Sequence, residues 1–322
     1  VSGSFLLATS FASGVSGLAL QSDGKIVAVG SCSANGSLCA LRLNADGTMD
    51  TAFGAAATPG RRVITFSGVT SAIGRAVSLL PDGKILVAGT CVRQQGTGGR
   101  FCAARLNSDG SVDPAFVGRN SAGVGGGVVN VVDDFHSLTN LMVQADMKPI
   151  LVGQCLQLAT CVMRLMPDGQ LDTTFVGPSA TSAGEVVFQT DGGYQFFHSA
   201  SLQPDQKILL FGPCSYGDSQ PCLARLLPDG SFDTSFIGRD GNLPGISQFV
   251  LSGGLFTTFS PPKISMQSDG KILAVGSCRG FSTHQLCAAR VISGLAAEPQ
   301  LKTMSEFRLP SPFNYYFVTS KK

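Results

Sequence analysis

A chain of 322 residues with 43% apolar and only 14% charged side chains can bury one large core or two small ones, and carries less charge than a cytosolic surface usually does. Its net charge of +2 gives no electrostatic case for nucleic acid or an anionic membrane, and no apolar run reaches the roughly 18 residues of a membrane span. Forty glycines, sixteen prolines and three glutamates, with no long run at helical period, point to an all-β chain rich in turns.

In chain order, the first strand is "GLALQ" from Gly17, followed by an Asp-Gly turn at Asp23 and a second strand, "KIVAVG". Two cysteines, Cys32 and Cys39, then flank a polar loop, and "CALRLN" forms the third strand. A second Asp-Gly turn, the stretch "DTAFG" and a fourth strand, "RRVITF", complete the unit. Asp-Gly between apolar runs signals a hairpin, because glycine accepts the left-handed conformation a tight turn needs.

The unit repeats. "DGK" occurs at Asp23, Asp82 and Asp269, and "DMK" and "DQK" at Asp146 and Asp205, so successive spacings are 59, 64, 59 and 64 residues. Five units result, near 17–66, 76–132, 140–190, 199–251 and 263–292, and the fifth stops after Val291 and Ile292. Where Met147 and Gln206 replace the turn glycine, the left-handed conformation costs about 1 kcal/mol, and those two turns are expected to be looser or differently built. Four-stranded units of this length fit propeller blades better than solenoid coils. A blade is buried on both faces, which suits the nearly continuous apolar runs "KIVAVG" and "KILLFG".

"DGKILVAG" followed by "ARLNSDGSVDPAF" resembles the bacterial delta-60 repeat, a family of β-propeller-like proteins, over most of Gly17 to Ile292. The resemblance implies a propeller and brings no catalytic residue with it. The paired cysteines, the two altered turns and the truncated last unit depart from the family pattern.

The fold expected is therefore an all-β propeller of five four-stranded blades over residues 1–294, with one disulfide per blade. "SFLLATSFASGVSGLALQSDGK" aligns with "RRVITFSGVTSAIGRAVSLLPDGK", so Phe5 to Phe11 is expected to supply the fourth strand of the blade begun by Ile264. The alternative is insertion of that strand into a neighbouring subunit, which would build a polymer. Residues 295–322 form an extension, "EFRLPSPFNYYFVTSKK" at its end, which reads as extended chain and strand that covers its own propeller or a partner.

The cysteine pairs are Cys32 and Cys39, Cys91 and Cys102, Cys155 and Cys161, Cys214 and Cys222, and Cys278 and Cys287. Each straddles the loop between strands two and three, where facing β-carbons lie about 4.5–5.5 Å apart, close to disulfide reach. Two thiols per blade do not supply the four clustered ligands of a structural metal site, and the loop length varies too much for a redox-active pair. The bridges fasten the bases of loops whose tips differ in every unit. Such loops either present contact residues from a rigid scaffold, or are merely unconstrained while the bridges resist extracellular proteolysis. Arg93, Gln94, Gln157, Tyr216, Phe281 and His284, in or beside these loops, and Tyr315 and Tyr316 in the tail are the candidate partner contacts.

Arg42, Arg105, Arg164 and Arg225 are each followed eight residues on by Asp50, Asp113, Asp172 and Asp233. A repeated Arg and Asp at fixed offset reads as an internal ion pair between strand three and the turn after it, and a planar guanidinium can meet a carboxylate with two bonds. The alternative is an Arg-lined anion site in the channel. Arg290 has no Asp in its unit and either borrows an acceptor or is free. Phe53, Phe116, Phe175 and Phe236 are expected to pack between blades.

His136, His198 and His284 share no metal-ligand spacing, and no nucleophile elbow, HExxH or phosphate loop is present. "GVGGGV" at Gly123 is followed by no helix, and "DDFH" at Asp133 needs no role beyond a solvated loop. The reading is a non-enzymatic propeller that needs no cofactor and binds a protein or surface glycan. It is expected to be extracellular, cell-surface or periplasmic, with a signal peptide removed before Val1. The other readings are a structural subunit of an extracellular assembly, a homo-oligomer joined by terminal strands, and a hydrolase or lyase with a channel site.

Overall fold

The computed structural model describes residues 14–32, 36–93, 98–118, 137–155, 159–177, 183–190, 193–194, 197–213, 221–236, 245–248, 255–256, 263–267, 271–279 and 284–291. Among these residues every regular element is a strand and none is a helix. Phe5 to Phe11, residues 119–136 and the tail from 292 lie outside them.

The chain divides into two compact units, one made of residues 1–156 with 163–172, the other of 157–162 with 173–322. In the first unit, β1 (Val15–Leu20), β2 (Ile26–Ser31) and β3 (Leu38–Leu43) form an antiparallel meander. Two short strands, β4 (Gly54–Ala55) and β5 (Thr58–Pro59), then precede β6 (Arg61–Ile64), which pairs with β3. The second repeat gives β7 (Val69–Leu79), β8 (Ile85–Arg93) and β9 (Gly99–Leu106) in that order across one sheet. The third opens with β10 (Ser137–Val143) paired to β11 (Pro149–Cys155), and continues in β12 (Ala159–Arg164), whose last two residues belong to the first unit.

In the second unit, β13 (Glu185–Thr190) pairs with β14 (Gly193–Tyr194), and β15 (Ser199–Leu202), β16 (Ile208–Pro213), β17 (Pro221–Leu226) and β18 (Ile246–Gln248) form a four-stranded antiparallel sheet in chain order. The last sheet holds β19 (Leu255–Phe256), β20 (Lys263–Met266), β21 (Ile272–Arg279) and β22 (His284–Val291). There β21 pairs with all three of the others.

The apolar runs are buried on both faces because sheets stack on one another. Val27, Val29, Leu38, Ala40, Phe53 and Ile64 of the first repeat share a core with Ile85, Val87, Ala104 and Leu106 of the second. First strands of successive repeats approach closely: a β-carbon added at Gly17 would stand 3.2 Å from the Ala76 backbone. A bulge in β7 between Gly74 and Ala76 brings the Ile73 carbonyl against Gly89, where an added β-carbon would lie 2.1 Å away. Only glycine fits there.

One expectation is corrected here. Met147 and Gln206 take the same left-handed conformation as the glycines they replace, with φ of 66° and 67° against 82° and 79° at Gly24 and Gly83. The Met147 N–H still donates to Gln144 O at 2.9 Å, as Gly24 N–H does to Gln21 O at 3.0 Å. The turns are not looser: the hairpin register on either side holds them, and the Asp146 and Asp205 carboxylates accept the N–H two residues on, at 3.3 and 3.2 Å.

Candidate functional site

In the first four repeats the sheets have two ends of different character. Strands two and three run to the cysteine-bounded loops at one end; the turn before strand two and the Asp-Gly turn after strand three occupy the other.

At the loop end, Cys32 is bonded to Cys39 and Cys91 to Cys102, with Cα atoms 5.7 and 5.8 Å apart. Cys155, Cys161 and Cys222 are disulfide-bonded as well. Cys214 lies outside the described residues. The bonded cysteines do not face each other as expected. Cys39 faces Gly30 and Cys102 faces Gly89, so each bridge runs diagonally to a cysteine two residues further along the partner strand. The glycine supplies the reason: with no side chain opposite it, the second cysteine has room to reach across. Cys222 and Cys287 likewise face Gly212 and Gly276.

The loop-borne contact candidates are placed only in part. Arg93 closes β8, and its backbone pairs with Val69; His284 opens β22 opposite Arg279. Gln94, Gln157, Tyr216, Phe281, Tyr315 and Tyr316 lie outside the described residues, as do His136 and the "GVGGGV" and "DDFH" stretches.

At the turn end, four repeats carry the same ionic cluster. Arg42 Nε donates to Asp50 Oδ2 at 2.7 Å, Arg105 to Asp113 at 2.7 Å, Arg164 to Asp172 at 2.8 Å and Arg225 to Asp233 at 2.8 Å. The four carboxylates are buried. A second cation reaches each of them: Lys25, Lys84, Lys148 and Lys207 lie 3.0, 3.0, 3.0 and 3.1 Å from the same Oδ2. These are the lysines of "DGK", "DMK" and "DQK", read in the sequence only as turn markers. Their recurrence two residues after the turn aspartate in every repeat was the signal that could have found them.

The fork of the guanidinium does not close on one carboxylate. Arg42 gives Nη1 to the Ser108 carbonyl and Arg105 gives Nη1 to the Pro167 carbonyl, each in the second turn of the next repeat. Two further contacts join the same places. Gly54 N–H donates to Asp109 O at 2.8 Å and Val117 N–H to Asp168 O at 2.7 Å in the first unit, and Val176 N–H to Asp229 O at 3.0 Å in the second. Phe53, Phe116 and Phe175 lie on Gly110, Gly169 and Gly230, within 2.9 Å of where a β-carbon would stand. Arg42 and Arg105 also cover the Phe53 and Phe116 rings, at 4.6 and 5.1 Å to the centroids. In the first two repeats the arginine, ring and backbone contacts thus tighten one repeat onto the next, and in the third the Phe175 and Val176 contacts do so.

The electrostatics follow. Burial alone would raise the Asp113 carboxyl, but the Ala115 N–H, Lys84 and Arg105 outweigh it and hold the group at about 2. Asp50 and Asp233 are lowered against burial in the same way, by Lys25 with Arg42 and by Ser235, Lys207 and Arg225. Two other buried groups lie outside the latches. Glu185 on β13 is 3% exposed, its Oε1 has no hydrogen-bond partner among the described residues, and burial pushes it up to about 7. Burial and the Lys263 charge push His198 down to about 4, so it is neutral near pH 7. Neither was singled out as a site by sequence reasoning.

The sequence pattern of a family described as a β-propeller domain of unknown function, DUF5122, matches residues 21–53, 80–116, 157–175 and 203–236. No curated protein matches. Solved structures of similar course include the α-L-arabinofuranosidase of Lactobacillus brevis, 12% identical over 93% of this chain and 95% of that one, with a TM-score of 0.45. The aldose sugar dehydrogenase of Streptomyces coelicolor, solved with PQQ bound, is 14% identical over 91% and 82%, with a TM-score of 0.49. At these identities no residue role passes from either to this chain. All four segments matched by the family pattern end on a latch phenylalanine, Phe53, Phe116, Phe175 or Phe236, and over these segments the chain is similar to β-propeller repeats.

Proposed function

We propose that the chain is an exported, non-enzymatic propeller of five delta-60-type blades that binds a protein or surface glycan through its disulfide-pinned loops. The observation that carries this reading is the asymmetry of the sheets. The turn end consumes its repeated charges in latches, whereas the loop end combines a covalently fixed base with a tip that differs in every repeat. A bridge at the base of a loop restricts the tip before binding, which lowers the entropy lost on contact. The disulfides favour an oxidising compartment. Closure of the fifth blade by Phe5 to Phe11 belongs to the same proposal.

The test is binding of the full chain to a glycan array and to intact bacterial and host cell surfaces. Binding should fall at least tenfold when residues 93–98 and 215–220 are replaced by Gly-Ser of equal length and the fold is intact by circular dichroism. Unchanged binding by the loop-replaced chain would overturn the reading. So would turnover of a panel of chromogenic glycosides, or of aldose sugars with an artificial electron acceptor.

A further inference from the structure

Three first strands of the first unit break their ladder at the same place. In β1, Val15 faces Gly30 and Gly17 faces Val29, so Ser16 stands out of register. In β7, Gly74 faces Gly89 and Ala76 faces Ala88, which leaves Arg75. In β10, Leu138 faces Gly153 and Asn140 faces Val152, which leaves Thr139. Each of these residues stands four before the last residue of its strand. The second unit repeats the feature by itself: Ser199 faces Phe211, and the His198 N–H donates to the same Phe211 carbonyl at 2.9 Å. A bulge frees one residue from the ladder and re-aims its side chain.

The three bulges of the first unit lie on neighbouring strands. β1, β7 and β10 are each the edge strand of their own sheet, and β7 packs beside both of the others. A β-carbon added at Gly74 would lie 2.6 Å from the Gly30 carbonyl, and one at Gly17 would lie 3.2 Å from the Arg75 carbonyl. On the other side, the Leu138 N–H donates to Thr90 Oγ1 at 3.1 Å. The strand of Arg75 therefore lies between those of Ser16 and Thr139.

Arg75 is exposed, and it is the one ionisable side chain on these three strands. Arg42, Arg105, Arg164 and Arg225 each hold a carboxylate. No described residue pairs with the Arg75 guanidinium, and none with the exposed Ser16 hydroxyl. Thr139 Oγ1 donates to Val152 O at 3.1 Å, which leaves its lone pairs to accept. One guanidinium with no acid on its strands matches a single negative charge. Its planar fork meets a carboxylate with two bonds, whereas a phosphate carries more charge than one cation answers. Hydroxyls on both flanks suit a ligand that carries hydroxyls of its own.

We infer that Arg75, Ser16 and Thr139 form a binding site for the carboxylate of a sugar acid. Arg75 takes the carboxylate, and Ser16 and Thr139 take neighbouring sugar hydroxyls. The site stands on first strands, not on the cysteine-bounded loops between strands two and three, and does not rest on the role of those loops.

The test is isothermal titration of the full chain with trigalacturonate, its neutral methyl ester, succinate and inorganic phosphate. Trigalacturonate should bind at least tenfold more tightly than the other three. Arg75→Gln should weaken that binding at least tenfold with an unchanged circular dichroism spectrum, and Arg75→Lys should recover part of the loss. The chain with residues 93–98 and 215–220 replaced by Gly-Ser should keep its affinity for trigalacturonate, which separates this site from the loops. No binding of trigalacturonate, equal binding of the methyl ester or succinate, tighter binding of phosphate, or an Arg75→Gln chain that binds like the parent would each overturn the assignment. So would loss of trigalacturonate binding in the loop-replaced chain.

Discussion

Arg42 and Ser108 are 66 residues apart, and a hydrogen bond from the Arg42 guanidinium to the Ser108 carbonyl joins one repeat to the next. The same guanidinium holds Asp50 through Nε, so one planar group satisfies a buried acid of its own repeat and an orphan carbonyl of its neighbour. A lysine has one nitrogen at the end of a flexible stem and cannot do both. Arg105→Lys, in the equivalent latch, should therefore destabilise by about 1–3 kcal/mol, since it removes either the Arg105 bond to Asp113, which keeps Lys84 and the Ala115 N–H, or the bond to the half-buried Pro167 carbonyl. Urea denaturation at neutral pH measures this, and a lysine variant as stable as the parent would show that the inter-repeat bond carries no weight.

The same clusters set the acid limit of the fold. Asp113 has a folded value of about 2, below its ordinary 3.8, because Ala115, Lys84 and Arg105 overcome the cost of burial. A depressed carboxylate contributes stability that is present above its unfolded value and is lost as pH falls through its folded one. Asp50 and Asp233 shift in the same direction. Stability should fall steeply between about pH 4 and pH 2. Asp113→Asn should flatten that slope while lowering stability at pH 7, because Lys84 and Arg105 keep their charges without a counter-charge. A parent whose denaturation midpoint is constant down to pH 2 would contradict the account.

Met147 and Gln206 occupy backbone positions that favour glycine. A side chain in the left-handed region costs about 1–2 kcal/mol, and glycine gives back part of that by its greater freedom in the unfolded chain. Met147→Gly should stabilise by about 0.5–1 kcal/mol, and Gly83→Met, the reverse change one repeat earlier, should cost a similar amount. Paired thermal melts decide it; a Met147→Gly chain that melts lower would mean that the methionine side chain contributes more than its backbone costs.

These examples mark what the sequence made legible. The repeat, its strands and the Arg–Asp offset could be read because the same residue types recur at fixed distance. The lysine of each latch recurs as faithfully, but was absorbed into the turn signal beside it. The diagonal placement of the cysteines could not be read, since it depends on hairpin register and on the glycine opposite. Nor could the bond from Arg42 to Ser108: every residue has a carbonyl, so an acceptor of this kind leaves no compositional trace.

Gly89 gives a sharper test of that register argument. A β-carbon there would stand 2.1 Å from the Ile73 carbonyl oxygen, so backbone rather than a flexible side chain would have to move. Gly89 also faces Cys102 of the bridge. Gly89→Ala should cost about 3 kcal/mol or more, in the range of overpacked cores, and make the Cys91–Cys102 bond easier to reduce. Titration with dithiothreitol followed by alkylation and mass analysis reads the second effect, and unchanged reduction would separate the glycine from the bridge.

Glu185 follows Gly184 where Arg61 follows Gly60 and Ile246 follows Gly245; all three glycines donate to the carbonyl of their latch phenylalanine. Arginine and isoleucine suit that place for different reasons, and a buried carboxylate suits it only when protonated. Burial raises its folded value to about 7 from 4.5. A raised value gives stability that is complete below pH 4.5 and is lost as pH rises through 7, amounting to about 3 kcal/mol at 1.36 kcal/mol per pH unit. His198 slopes the other way across the same range: its folded value of about 4 lies below 6.5, so its contribution is present above 6.5 and lost as pH falls toward 4. The total pH profile therefore hides both, and the informative quantity is a difference. Glu185→Gln minus parent should be near zero at pH 4.5 and stabilising by about 2–3 kcal/mol at pH 8, read from urea denaturation at each pH. An equal difference at both values would mean that Glu185 does not titrate in the fold.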